Sequence, residues 1–408
     1  MQKKFVSICL FNFLVAALMG LLLRFAFVHP MAINFRFLTH AHSHVAMLGW
    51  VYLILYLLLI HHFVLDKKPI YTRLFWWTQI AIIGMMVSFP FQGYAAVSIT
   101  FSTLHIFCSY YFVRLIWKHH LVASMPVRWL LKASLLFMLI STIGIWCLGP
   151  AVGLLGQASA FYQIAIQFFL HFQFNGWFLF AVLAVFFHHF PIKNNNYFKH
   201  FFKILIMSTL LTLALPISWF INQSIWLWIN GLGVVLQFLA AFFFVQMLRS
   251  SWSNFLSNTS QLARSMYALA LASFFLKMFL QTLSVVPEIA TMAFQYRNFV
   301  VGFIHLMMLG VISGFLFAFV LNSNLLPRHS KLLKIGVYTF FIGFVSTEIL
   351  LLLQGMFYYL SYGMVPNYYM LLFLCSMLLP LSILLFIIKL LNHETQTVKE
   401  TSSPSTFK

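Results

Sequence analysis

Six histidines of this chain fall inside long apolar runs: His40, His42 and His44 share one run, and His105, His171 and His305 occupy three others. Ionisable groups at such positions are costly in hydrocarbon and usually face the interior of a helix bundle, where they bind or react. Neutral imidazole ligates haem iron, copper and zinc. Four runs, each presenting a ring, therefore suggest a metal cofactor gripped from separate helices. The competing reading is that each ring is a lone polar group bonding a neighbouring helix. The other ten histidines invite less. His61, His62, His119, His120, His188 and His189 stand at run ends, where they face headgroups or cap helix C-termini. His29, His200, His329 and His393 lie in or beside loops.

The elements that must position these rings follow from composition. The chain is 62% hydrophobic and 7% charged, with mean hydropathy +0.95 over 408 residues. That leaves too little polar material to cover a soluble protein of this size. Apolar runs of about 18 residues or more recur along the whole length, each long enough to cross ~30 Å of hydrocarbon as a helix. Backbone groups in lipid must bond within their own segment, and the short alternating segments of a β-barrel are absent. The fold class is an all-α, polytopic membrane helical bundle of about twelve transmembrane helices. The spans fall near 5–28, 38–64, 73–93, 97–118, 128–149, 160–190, 202–220, 224–248, 263–284, 298–322, 333–358 and 368–391.

Charge tests that count. The net charge of +19 would suggest nucleic acid in a soluble protein, but here the basic residues sit in short loops between runs, and no nucleic acid is implied. Of 24 Lys and Arg, all fall on one side except Arg24, Arg36 and Arg297 on the other and Lys277 within the ninth span. Positive loops stay cytoplasmic, so both termini are inside. The first run lacks a small-residue cleavage site and reads as an anchor. Residues 1–392 form a single transmembrane domain, and the polar stretch 393–408 reads as a disordered cytoplasmic tail. Cys9, Cys108, Cys147 and Cys375 are dispersed in apolar runs and read as small buried hydrophobes. The first six and last six spans show no similarity that would mark two related halves.

The six buried histidines all lie on even-numbered spans, which start at the outer face. At 1.5 Å per residue, His44 and His305 come to roughly 10 Å depth, His105 to about 12 Å and His171 to about 16 Å. A helix puts His40 and His44 on one face and His42 on nearly the opposite one. His44, the deepest of the three, is the first choice of ligand and His42 the second. His40, nearest the interface, suits a propionate or water contact.

Three segments resemble a known family. HSHVAMLGW (42–50) resembles span two of subunit I of the haem–copper oxidase superfamily. LHFQFNGWF (170–178) is similar to span six of the nitric oxide reductase large subunit, and FIHLMMLG (303–310) to span ten of the superfamily. The resemblance covers the topology as a whole but about 30 residues by motif. It implies one low-spin haem b with two histidine ligands, His44 or His42 from span two and His305 from span ten. His171 matches the span-six ligand of a second metal. The sequence also departs from the pattern. Phe303 replaces the first histidine of the span-ten pair, Asn175 stands where a glutamate is expected, and the seventh span lacks a histidine pair. The resemblance therefore implies a relative without the conventional binuclear centre, placed in a bacterial cytoplasmic membrane. Its work would be electron transfer or binding of a small gas such as NO or O₂, with quinol or a separate protein as electron donor. His171 would serve a second metal, a gas ligand or a polar contact.

Three further groups complete the expectations. Arg24, Arg36 and Arg297, on the side where basic residues are scarce, are candidate partners of haem propionates, as arginine bonds carboxylates bidentately. Lys277 and Glu348 both fall in the outer half, and a buried charge seeks its opposite, so the two are expected to meet or reach water. That pair, with the buried histidines, is the basis of the alternative reading as a transporter or channel. An assembly or scaffold protein for a respiratory complex is the other alternative.

Overall fold

The computed structural model describes residues 1–192, 196–249, 252–323, 325–327 and 329–401, with backbone alone at 254 and 394–401. Twelve helices among them are long and apolar enough to span a bilayer. They are α1 (Lys3–Phe25), α2 (Phe35–Phe63), α3 (Pro69–Gln92), α4 (Ala96–His119), α5 (Met125–Leu155), α6 (Ala160–His189), α7 (Asn196–Ser218), α8 (Ser224–Arg249), α9 (Gln261–Leu283), α10 (Arg297–Asn322), α11 (Lys331–Tyr359) and α12 (Tyr368–His393). The described residues contain no strand. This is the polytopic helical membrane bundle that hydropathy required. Several starts are capped as polar residues before an apolar run should cap them. Asn34 accepts from the Phe37 amide, Ser159 from Tyr162, and Ser330 from Leu333. The segment expected to be an irregular tail continues the last helix to Thr401, and 402–408 lie outside the described residues.

Three helices form the centre. In α2, α6 and α10 the apolar window is 78, 83 and 83% buried, against 33–56% in the other nine. Trp50 of α2 donates to the Ser313 hydroxyl of α10 (2.9 Å), Tyr52 of α2 lies 6.2 Å from Trp177 of α6, and Phe186 of α6 lies 5.3 Å from Phe315 of α10.

These central helices share one pattern, and the pattern recurs every four spans. Each has a histidine followed five residues later by glycine: His44 and Gly49, His171 and Gly176, His305 and Gly310. In α2 and α6 the match extends to Trp50 and Trp177, and to His61-His62-Phe63 and His188-His189-Phe190 at the same spacing. Each histidine immediately precedes a π-helical stretch: Val45–Tyr52, Phe172–Phe178 and Leu306–Ser313. π-helical turns inside α-helices are rare and concentrate at functional sites. The three glycines lie under neighbouring helices. A Cβ at Gly49 would meet Asn12 of α1 at 3.0 Å, one at Gly176 would meet Phe137 of α5 at 2.7 Å, and one at Gly310 would meet Ser273 of α9 at 2.5 Å. The spacing is shared by the second, sixth and tenth spans, a period of four spans that a comparison of two halves does not test.

Candidate functional site

The central helices change character along their length. Toward the basic end they are solid: residues 47–60, 171–187 and 310–321 are buried without interruption. Toward the outer end they are not. Only Leu38 and Ala41 are buried in Phe35–His44, and only Gly302 in Arg297–His305. In Ala160–His171 the buried residues are Ala165 and His171. The histidines stand where close packing gives way, and His42, His44 and His305 each keep part of their surface accessible.

His42 turns toward α1. Its Nδ1 donates to the Ala16 carbonyl at 2.8 Å, which leaves Nε2 with the lone pair. Gly20 makes this orientation feasible, since a Cβ there would lie 2.8 Å from His42 Cε1. On α10, His305 presents Nδ1 to Glu348 of α11, 4.0 Å from Oε1. That is past hydrogen-bond length, and Glu348 Oε1 is buried without a bonding partner. The ionisable neighbours acting on His305 are Arg24 and His42, and Arg24 also lies within reach of Glu348 and Tyr368. Helices α1, α2, α10 and α11 therefore place two imidazoles, one guanidinium and one carboxylate within electrostatic range of one another.

His44 faces the other way, as the helical spacing required. It donates from Nδ1 to the His40 carbonyl (2.8 Å), and its Nε2 is 3.4 Å from the Tyr94 hydroxyl. Its ring lies 4.4 Å from Phe89 of α3, and His40 is 4.7 Å from Tyr94. His105 of α4 is a neighbour of His44 and sits 4.6 Å from Tyr52, its Nε2 buried without a partner. His42, not His44, shares its surroundings with His305, because the face of α2 carrying His42 is the one that packs on α1.

Other expected residues disperse. His171 bonds through Nε2 to the Thr209 carbonyl of α7 (2.7 Å), and Lys277 of α9 is the charged neighbour acting on it. Asn175, one turn deeper, has a buried Oδ1 without a partner. No ion pair joins Lys277 to Glu348; Glu348 faces His305, and Lys277 is a charged neighbour of His171. Arg297 and Arg36 are exposed at the outer ends of α10 and α2. Arg36 acts on His40, while the arginine beside His42 and His305 is Arg24.

Reasoning from sequence also dismissed a cluster. His62 lies 4.9 Å from His188 and 4.7 Å from His189, and His61 Nδ1 is 2.8 Å from the Met1 amine. Burial, then the charge of Lys67, holds that amine below its usual pKa. The signal was the doubled His-His at matching positions of α2 and α6. Among the described residues no group of three or more His, Cys, Asp or Glu could hold a metal ion. No protein-family profile and no curated protein sequence matches the chain.

Proposed function

We propose that this membrane protein binds one b-type haem between His42 and His305 and uses it for electron transfer or for binding a small gas. The observation that carries the reading is that both imidazoles stand in loosely packed stretches within electrostatic range of each other, with Nδ1 of His42 tied to a carbonyl and Nδ1 of His305 turned toward a carboxylate. Ligating histidines characteristically direct their second nitrogen to such a group, which fixes the ring and raises its basicity. The residues fit the group in two further ways. Glu348 can accept from His305 Nδ1 once that ring binds iron through Nε2, and Arg24 is a cation suited to a propionate. When bound, the haem would supply reversible one-electron chemistry. The chain's own share is to orient both rings, to supply Arg24 charge on the outer side and to close the basic side with packed side chains. The resemblance to haem–copper oxidase subunit I agrees with the choice of spans. It would imply a bacterial cytoplasmic membrane, with quinol or a separate protein as electron donor.

The test is the visible spectrum of protein purified from haem-replete cells. A reduced-minus-oxidised difference spectrum should show a sharp α band of the b type. His42→Ala and His305→Ala should each abolish it, and His44→Ala should leave it. A featureless wild-type spectrum overturns the proposal, and a spectrum that survives both His42→Ala and His305→Ala overturns the ligand assignment.

A further inference from the structure

A cavity of about 420 Å³ opens at the basic end of the bundle, between the short helix Trp252–Ser257 and the first two turns of α9. That volume is within the range of small-molecule sites, ~300–1,000 Å³. Its two sides differ in chemistry. The short helix contributes Trp252, Phe255 and Leu256. Helix α9 contributes Gln261, Arg264 and Ser265, which a spacing of three and four residues sets on one helical face. Ser265 donates its hydroxyl to the Gln261 carbonyl (3.2 Å). Among the described residues the Arg264 side chain has no hydrogen bond and no ion pair. Between Arg249 and Tyr267 the sequence holds no Asp or Glu that could supply one. Tyr267 also lines the cavity and is 1% exposed. Its ring is fixed among aromatic neighbours, 5.1 Å from Phe255, 5.8 Å from Phe186 and 5.9 Å from Phe319. Its hydroxyl is buried with no bonding partner.

A buried hydroxyl is costly to leave unpaired, and most find a donor or acceptor. An oxygen atom of a molecule in the cavity would supply that partner. Position selects the molecule. The cavity lies where α8 has ended and α9 begins, at the level where spans leave the hydrocarbon, and Trp252 and Leu256 are half-buried on its apolar side. Tryptophan at that level marks the membrane–water interface. Basic pockets between spans hold anionic lipid headgroups, and a guanidinium suits a phosphodiester through paired N–H donors. We propose that this cavity binds one anionic phospholipid, its phosphodiester held by Arg264, Gln261 and the Tyr267 hydroxyl, and its glycerol backbone laid against Trp252 and Leu256. Arg264 is the one charged residue of the lining, and it matches the single charge of a phosphodiester. His42 and His305 stand at the other end of the bundle, so occupancy of this site does not depend on haem.

A lipid that binds the folded state alone raises its stability by mass action. Thermal unfolding of the full chain is followed in neutral detergent at constant ionic strength, as dioleoyl phosphatidylglycerol or dioleoyl phosphatidylcholine is added. The wild-type midpoint should rise saturably with phosphatidylglycerol and less with phosphatidylcholine. Arg264→Gln should need about tenfold more phosphatidylglycerol for the same rise, and Tyr267→Phe about fivefold more, as loss of a charged and of a single hydrogen bond implies. Arg249→Gln, at the same end but outside the lining, should respond as the wild type does. Equal rises with the two lipids, or an unchanged response of Arg264→Gln, overturn the proposal. So does an equal loss in Arg249→Gln, which would mark general attraction to basic loops. A rise of the same size with glycerol 3-phosphate alone overturns the lipid as occupant and leaves a site for soluble phosphate esters. If Arg264→Gln does not fold, phosphatidylglycerol brominated in its acyl chains decides. It should quench wild-type tryptophan fluorescence more than brominated phosphatidylcholine does, and the difference should vanish in Trp252→Phe. No difference in the wild type, or an undiminished one in Trp252→Phe, overturns the site.

Discussion

The two ends of the central helices differ sharply in burial. In the basic half α2, α6 and α10 are packed without gaps by Leu, Phe, Ile and Val, with Trp50, Tyr52 and Trp177 filling the axis. In the outer half α2 and α10 carry His42, His44 and His305 at partly accessible positions, and α6 buries only Ala165 before its own His171. The division falls at the three histidines, where each helix passes from α to π geometry. A close-packed half fixes helix rotation and spacing, and an open half then holds polar side chains at defined angles without having to pack itself. In lipid the packed half cannot draw on water exclusion between helices, so van der Waals fit must supply the association.

The largest consequence concerns that fit. Leu55 of α2 is fully buried, whereas Leu170 of α6, one residue before the division, is only partly so. Leu55→Ala should cost about 2–5 kcal/mol, the range for a buried Leu truncated to Ala. Leu170→Ala should cost less than about 2 kcal/mol, since less of it is buried. Reversible unfolding in mixed micelles measures both. Equal costs would mean that the outer half is packed as tightly as the basic half.

The same division explains what could be read in the sequence. Twelve spans and their orientation follow from apolar run length and the placement of Lys and Arg, which are properties of single segments. That His42 opposes His44 also followed, from helical spacing alone. Which of them meets His305 did not, because it depends on how α2 is rotated against Ala16 and Gly20 of α1. Lys277 and Glu348 illustrate the same point. Depth along a helix axis was legible, but the direction in which each side chain leaves it was not, and the expected pair is in fact two separate sites. The recurrence every four spans was present in the spacing of His and Gly in α2, α6 and α10, and of His-His in α2 and α6, yet comparison of two halves has the wrong period to reveal it.

Glycines on one helix offer an intermediate effect. A Cβ on Gly310 would fall 2.5 Å from Ser273 Oγ and 2.7 Å from Phe344, whereas one on Gly302 finds its nearest neighbour, Glu348 Oε2, at 3.5 Å. Gly310→Ala should therefore destabilise by about 1–3 kcal/mol through overpacking. Gly302→Ala should stay within about 0.5 kcal/mol of the wild type or gain slightly, as a helical Gly→Ala change permits. If Gly302→Ala proves as costly as Gly310→Ala, then α10 and α11 are pressed together at Glu348 and the outer half is not open there.

The smallest expected effect compares two repeats within the packed half. Trp50 and Trp177 follow the equivalent glycines of α2 and α6, and both are fully buried. Trp50 Nε1 donates to Ser313, while Trp177 Nε1 is buried without an acceptor. Replacing either with Phe removes a similar volume, so the difference between the two variants isolates the polar part. Trp50→Phe loses a hydrogen bond and leaves the Ser313 hydroxyl unpaired, whereas Trp177→Phe removes an N–H that had no partner. Trp50→Phe should therefore be less stable than Trp177→Phe by about 1 kcal/mol. Adding Ser313→Ala to each should cost the Trp50→Phe background less than the wild type, as expected for two groups that bond each other. If the two single variants are equally stable, the Trp177 N–H has a partner, and the space between α2 and α6 holds a water molecule or a polar ligand.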